Sequence, residues 1–198
     1  DIVSSSKLKP LPQSGAEVSE VSRMFASGGY KNLVLTNMEA TEKALKDNCG
    51  DYRILHIATH GYSSQKNPEL SGLYMNAGDD RFNEEITNDG FLYSGEIYNM
   101  DLQADLVILS ACKSGSGKIV SGEGSIALPR AFAYNGVPNT IASLWKIHDT
   151  KTKDQMLYFY RLLLSGKTYS QALRETKLWQ IKNGELPMDW AGMILIGI

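Results

Sequence analysis

Residues 106–115 read LVILSACKSG, an apolar run that ends in a cysteine and a glycine-rich loop. A run of Leu, Val and Ile without polar alternation is typical of a strand buried on both faces, as in a parallel sheet. Residues 54–61 read ILHIATHG and have the same build, with a histidine before the glycine. In open α/β sheets, functional groups gather at the carboxyl ends of the strands. If the two strands are parallel neighbours, His60 and Cys112 meet at one edge of the sheet.

Predicted strands and helices alternate along the rest of the chain. Further apolar runs predict strands at 33–35, 70–75, 140–144 and 191–198. Apolar residues at helical spacing predict helices around 18–25, from a cap at 36 or 37 to about 49, at 94–98, from near 129 to 134, at 156–164 and at 169–179. The polar stretch 62–89, apart from its short strand, is predicted to form surface loops beside the site. This alternation favours an α/β fold with a largely parallel sheet between helices.

The composition is that of one ordinary globular domain. The chain has 198 residues, 42% of them hydrophobic and 21% charged, and a formal net charge of -2. This balance favours neither nucleic acid nor a membrane surface as a partner, and no apolar run approaches the roughly 20 residues that cross a bilayer. Residues 1–15 are predicted to be a linker or extended segment, and the start at Asp1 suggests a piece of a longer protein. Two cysteines are too few for a disulfide scaffold, so we expect a cytoplasmic protein.

The two strand ends carry the parts of a nucleophilic site. A cysteine attacks only as its thiolate, so it needs a nearby base and amide donors for the oxyanion. His60 can act as the base and later protonate the leaving amine. The N–H groups of Gly61 and Cys112 can form the oxyanion hole, since no Cβ obstructs the glycine. The alternative is that Cys112 only packs at the end of its strand, as buried cysteines commonly do.

Metal and nucleotide chemistry fit these residues less well. On a helix, the spacing of His56 and His60 would suit zinc, but the surrounding apolar residues favour a strand, where four steps separate the histidines by roughly 13 Å. His56 is therefore predicted to be a buried, hydrogen-bonded histidine. The stretch 115–118, GSGK, lacks the Ser or Thr of a phosphate loop, because Ile119 stands at that position. We expect no metal, nucleotide or other cofactor.

Four ordered segments carry a resemblance to a known family. They are HIATHG at 56–61, LSACKSG at 109–115, GEGSIALPRAF at 122–132 and ASLWKIHD at 142–149. They resemble the CHAT domain, a caspase-like peptidase domain related to separases, caspases and gingipains and often fused to tetratricopeptide repeats. Similarity at 11–12 with Glu17, at 172–174 and at 190–191 extends the resemblance over essentially the whole chain.

The resemblance implies a fold and a pair of catalytic residues. The fold is a caspase-like three-layer α/β sandwich with a mostly parallel sheet of about six strands, in one domain over residues 16–198. The catalytic dyad maps onto Cys112 and His60. The oxyanion donors map onto the backbone amides of Gly61 and Cys112.

The resemblance also implies an activity and partners. The activity is that of a cysteine endopeptidase that acts on a protein or peptide substrate and needs no metal or organic cofactor. Tetratricopeptide repeats or an activating partner would regulate it, with the stretches 62–89 and 113–124 as the places where gating acts. The alternative is a catalytically silent scaffold or interaction module. Retention of Cys112 and His60 argues against a scaffold, which has no chemical need for either.

Four further residues are predicted to contact the substrate. By resemblance, Asp149 pairs with a basic residue just before the scissile bond, and its alternative role is that of an acid at a helix N-terminus. Trp145 lines a pocket or packs under the sheet, and Glu123 holds the glycine-rich loop by accepting backbone amides. Ser110 stands two positions before the cysteine, where metacaspases have an acidic residue. This departure argues against a strict preference for Arg or Lys.

Overall fold

The centre of the fold is a four-stranded sheet. A computed structural model of the protein describes residues 8, 11–64, 66–78, 88–110, 127–145 and 147–197. The sheet contains, in spatial order, β1 (Ile54–Ile57), β5 (Leu106–Leu109), β6 (Asn139–Ser143) and β7 (Met193–Gly197). The first three strands are parallel, and β7 pairs antiparallel with β6. The largely parallel sheet is therefore confirmed, with four strands in the described part of the chain rather than about six.

Helices cover both faces of this sheet. One face is covered by α1 (Ser14–Ser27), α5 (Asp149–Leu164) and α6 (Tyr169–Lys182), and the other by α2 (Glu42–Asn48), α3 (Ser94–Ile97) and α4 (Ala127–Tyr134). Successive residues of β5 alternate between the two cores: Leu106 and Ile108 pack with Phe159, whereas Val107 and Leu109 pack with Phe132. This is the predicted three-layer sandwich. None of the helices in the described ranges is both long and apolar enough to cross a membrane.

A second, antiparallel sheet was not predicted. It consists of β2 (Gly61–Tyr62), β3 (Gly72–Tyr74) and β4 (Phe91–Tyr93). Leu73 and Leu92 are fully buried in the core beside α4. The strand predicted at 70–75 is therefore confirmed as β3, whereas its pairing with β2 and β4 was not predicted, because such a short strand needs partners on both sides before it can bury its leucine.

Other boundaries differ from the predictions. The apolar stretch 33–35 forms no strand, and Leu33 is exposed. Helix α2 begins at Glu42 rather than near 37, since the hydroxyl of Thr41 accepts a hydrogen bond from the N–H of Ala44 at 3.0 Å. Helix α1 begins at Ser14, just inside the predicted linker. A short helix, α7 (Pro187–Trp190), precedes β7.

Candidate active site

The register of β1 and β5 places the carboxyl ends of both strands at the same edge of the sheet. Ile57 and Leu109 are paired at the carboxyl ends of these parallel strands. His60 follows Ile57 by three residues, and Cys112 follows Leu109 by three residues. Cys112 and Glu123 lie outside the described residues. In the sequence, each predicted catalytic residue therefore lies three positions beyond the paired end of its strand.

His60 is held by the backbone between the two sheets. It lies in the link from β1 to β2, and its carbonyl accepts a hydrogen bond from the N–H of Tyr74 at 2.8 Å. The hydroxyl of the preceding Thr59 donates to the carbonyl of Tyr74 at 2.6 Å. The residue is only 7% exposed. Strand β3 therefore fixes the position from which the imidazole can act.

The backbone N–H of Gly61 is directed away from β3. Gly61 is paired with Leu73, and the N–H of Tyr74 donates to the carbonyl of His60. In an antiparallel ladder this pattern makes Gly61 and Leu73 a non-hydrogen-bonded pair, whose N–H groups do not serve the ladder between them. The N–H of Gly61, which is predicted to bind an oxyanion, therefore makes no hydrogen bond in the ladder between β2 and β3.

The buried carboxylate of Glu42, the first residue of α2, links this helix to the antiparallel sheet. The carboxylate of Glu42 accepts a hydrogen bond from the N–H of Gly90 at 3.2 Å and pairs with Nζ of Lys46 at 2.5 Å. Lys46 also bonds Glu96 on α3 at 2.9 Å. Burial raises the pKa of Glu42, the bond to Lys46 lowers it, and the charge of Glu96 raises it again. Burial alone would lower the pKa of Lys46, but its bonds to both carboxylates raise it.

Replacing Glu42 with glutamine is expected to remove one pH dependence of stability. The folded-state pKa of Glu42 lies above its ordinary value of 4.5, so the folded protein binds more protons than the unfolded chain between the two values. The free energy of unfolding therefore falls as the pH rises through that interval. The quantity to follow is the free energy of unfolding of the wild type minus that of Glu42→Gln. We expect this difference to decrease as the pH rises from about 4 to about 7, as measured by urea denaturation.

The control for this experiment is Glu39→Gln, the same change at an exposed acid just before α2. Its free energy of unfolding relative to the wild type is expected to stay flat over the same pH range. A flat difference for Glu42→Gln as well would show that burial does not penalise the charge of Glu42.

Two residues predicted to contact the substrate make structural hydrogen bonds. Asp149 is the first residue of α5, and its Oδ2 accepts the N–H of Gln13 at the start of α1, at 2.8 Å. If Asp149 contacts a substrate, its other carboxylate oxygen, Oδ1, would make that contact. Trp145 packs against the core near Met193, and its indole N–H donates to the carbonyl of Met188 at 2.8 Å. Its placement is that of a residue packed beside the end of β6.

Ser110 is buried rather than open at the edge. It is 3% exposed, and its Oγ lies 3.1 Å from Nε2 of His56. The prediction that His56 is hydrogen-bonded is confirmed, since both ring nitrogens have partners; its side chain is largely buried, with 10% exposed. These partners, Glu17 and Tyr160, are absent from the predicted site residues. Glu17 could have been found, because it lies four residues before Val21 on the buried face of α1.

Clusters of three or more His, Cys, Asp or Glu side chains placed to hold a metal ion do not occur within the described ranges. His56 is engaged by protein groups, and the other histidine of the predicted strand, His60, lies beyond the end of β1.

The fold and this edge define the class of protein. Three parallel strands between two helical layers, with a histidine and a glycine following β1, form an α/β sandwich of the caspase-like type. The chain belongs to the CHAT domain family, whose model matches residues 2–198.

Two relatives have the same name. Tetratricopeptide repeat protein 28 from Homo sapiens is 33% identical over 175 residues, which cover 83% of this chain and 6% of that protein. Tetratricopeptide repeat protein 28 from Mus musculus is 32% identical over 108 residues, which cover 54% of this chain and 4% of that protein. The chain therefore spans only a small part of the length of these relatives.

Proposed function

We propose that this chain is a cysteine endopeptidase domain in which Cys112 is the nucleophile and His60 is the general acid–base group. The observation that supports the proposal is the register of β1 and β5, in which Ile57 pairs with Leu109; His60 and Cys112 each follow these paired residues by three positions in the sequence. The direction of the Gly61 amide supports an oxyanion hole formed with the amide of Cys112.

The proposed reaction proceeds in two steps. The Cys112 thiolate attacks the carbonyl carbon of the scissile peptide bond, and the two amides stabilise the negative oxygen. The C–N bond then breaks, and His60 gives a proton to the departing amine. In the second step, water gives a proton to His60 and attacks the thioester, which releases the acid and restores the thiolate. A basic residue before the scissile bond would pair with Oδ1 of Asp149, the carboxylate oxygen that does not accept the N–H of Gln13.

We also propose that other parts of a longer protein regulate this domain in the cytoplasm. The two relatives are named for tetratricopeptide repeats, and this chain matches only 6% of the human one. Repeats of this kind present concave surfaces that bind other proteins. They would choose the protein substrate or activate the domain, while the dyad performs the cleavage.

Rapid alkylation of Cys112 by iodoacetamide is the expected sign of the dyad. A thiolate stabilised by a nearby imidazolium reacts faster than an ordinary thiol at neutral pH. We expect His60→Ala to slow labelling of Cys112 by about tenfold. Intact mass measurements followed by site mapping give the rate at each cysteine.

Cys49 is the internal control for this labelling. It is 1% exposed, and burial raises the pKa of its thiol. Its thiol also donates to the carbonyl of Lys46 at 3.4 Å. Cys49 should therefore label slowly in both proteins until urea unfolds them. If Cys112 reacts at the rate of a free thiol with and without His60, the dyad is not formed, and the silent interaction module becomes the better assignment.

A further inference from the structure

Four polar side chains, three of them buried and one largely buried, form one network across the layer of α1 and α5. Nε2 of His56 on β1 lies 2.7 Å from the carboxylate of Glu17 on α1 and 3.1 Å from Oγ of Ser110. Nδ1 of the same ring lies 2.9 Å from the hydroxyl of Tyr160 on α5. Glu17 is 1% exposed and Tyr160 is fully buried. A single imidazole thus joins two helices and two neighbouring strands.

Both nitrogens of the His56 ring have hydrogen-bond partners. The carboxyl group of Glu17 is the partner of Nε2, and the hydroxyl of Tyr160 is the partner of Nδ1. Burial, and then the charge of Glu17, raise the pKa of Tyr160 well above its ordinary value. The phenol therefore keeps its proton, and its oxygen lies within hydrogen-bond distance of Nδ1 of His56. Because both ring nitrogens of His56 have hydrogen-bond partners, the network holds the ring in one orientation.

The network reinforces the end of the β1–β5 ladder on the side of the candidate active site. The N–H of Ser110 donates to the carbonyl of Ile57 at 3.1 Å, and its hydroxyl bonds the ring of His56. Ser110 precedes Cys112 by two residues, and His56 precedes His60 by four. A main-chain bond and a side-chain bond therefore tie the strands together just before both predicted catalytic residues.

Apolar packing alone would not require this arrangement. Burying a carboxylate and an imidazole costs free energy unless each finds its partners. A fully satisfied polar network instead selects one relative placement of the elements that it joins, since each misplacement leaves a buried group unbonded. The network therefore favours one relative position of the carboxyl ends of β1 and β5.

We propose that Glu17, His56, Ser110 and Tyr160 form a positioning network that holds the ends of β1 and β5 in the alignment that brings His60 and Cys112 together. This inference rests on the proposed peptidase function. The four residues do not touch the substrate or the reacting atoms in this proposal. They act through the two strands.

Tyr160→Phe tests the network at a site on α5, away from both strand ends. The change removes only the hydroxyl that bonds His56. We expect kcat for a cleaved peptide to fall about tenfold with KM within about twofold, because a small misplacement of reacting groups lowers the rate without weakening substrate binding. Ser110→Ala should have a similar effect. The double variant should lose little more than either single variant, since both act through the same ring.

Thr176→Val is the matched control. Thr176 is fully buried on α6, and its hydroxyl donates to the carbonyl of Ala172, outside the network. The substitution also removes one buried hydroxyl without changing the size of the side chain. We expect wild-type kcat in this variant. An equal loss of kcat in Thr176→Val and Tyr160→Phe would assign the effect to general destabilisation and overturn the proposal.

Nitrogen NMR of the three histidines separates this inference from the proposed function. We expect Tyr160→Phe to shift the ring signals of both His56 and His60 and to leave those of His148, which bonds Asp189, in place. This readout does not need peptide cleavage. If the wild type cleaves no peptide but His60 still shifts, the peptidase function fails while the positioning network stands. If kcat and the His60 signals both stay at wild-type values, the network does not position the site.

Discussion

Replacing Cys112 with alanine is expected to abolish peptide hydrolysis, with kcat lowered by about 10⁴-fold or more. The proposed cleavage runs through a covalent bond to the Cys112 sulfur, and alanine offers no atom that can form it. The free energy of unfolding is expected to remain near the wild-type value, because the buried side chains of β5 (Leu106–Leu109) are unchanged. Hydrolysis of a fluorogenic peptide library, together with urea denaturation, measures both quantities.

The control for this prediction is the combination of Cys112→Ala with His60→Ala. Groups that act as one catalytic unit lose nearly all activity when either is removed, so the double variant should be no slower than the single ones. If losses at the two positions multiply, the two residues contribute independently and do not form a dyad. If Cys112→Ala retains wild-type hydrolysis, the nucleophile lies elsewhere.

The parallel strands could be predicted because burial on both faces leaves a clear pattern. β5 is apolar at each of its positions, and the four residues of Leu106–Leu109 are fully buried. β1 gives a weaker signal, since His56 interrupts it on the face toward α1. The structure explains that interruption, because Glu17 and Tyr160 satisfy the ring where an apolar side chain would otherwise pack.

The small antiparallel sheet could not be predicted from its own residues. β2 has two residues, and β3 and β4 have three each, which is too short for a period to be measured. The stretch 33–35 shows the opposite case. Its residues are as apolar as those of a strand, but they pair with none of the strands in the described part of the chain, and Leu33 remains exposed. A strand forms only where a ladder partner is available, and that depends on tertiary packing.

The candidate site could be predicted only in part for the same reason. His60 and Gly61 follow from the rule that functional groups gather at the carboxyl ends of parallel strands. The network of Glu17 and Tyr160 depends on how α1 and α5 pack on the sheet, and their separation from His56 in sequence hides the contact. Of the two partners, only Glu17 could be recognised from the sequence, since an acid on the buried face of a helix needs a partner.

Replacing Gly72 with alanine is expected to disturb the sheet that carries Gly61. A Cβ at this position would lie 2.4 Å from the carbonyl oxygen of Leu92 and 2.4 Å from a ring carbon of Phe91. The oxygen belongs to the backbone of β4, so β3 must move away from it. Overpacking of this kind costs roughly 1–3 kcal/mol of unfolding free energy. Since Gly72 pairs with Tyr62 in β2, the shift reaches the neighbouring Gly61.

Gly72→Ala is expected to lower catalysis as well as stability. Displacing one oxyanion donor lowers kcat by about 10²-fold. Gly95→Ala is the matched control, because a Cβ there meets no atom within 4 Å, and its kcat and stability should stay near wild type. Both variants are compared well below their unfolding midpoints, so that each remains folded. Wild-type kcat in a folded Gly72→Ala protein would show that the amide of Gly61 does not stabilise the oxyanion, and the hole would then need a different second donor.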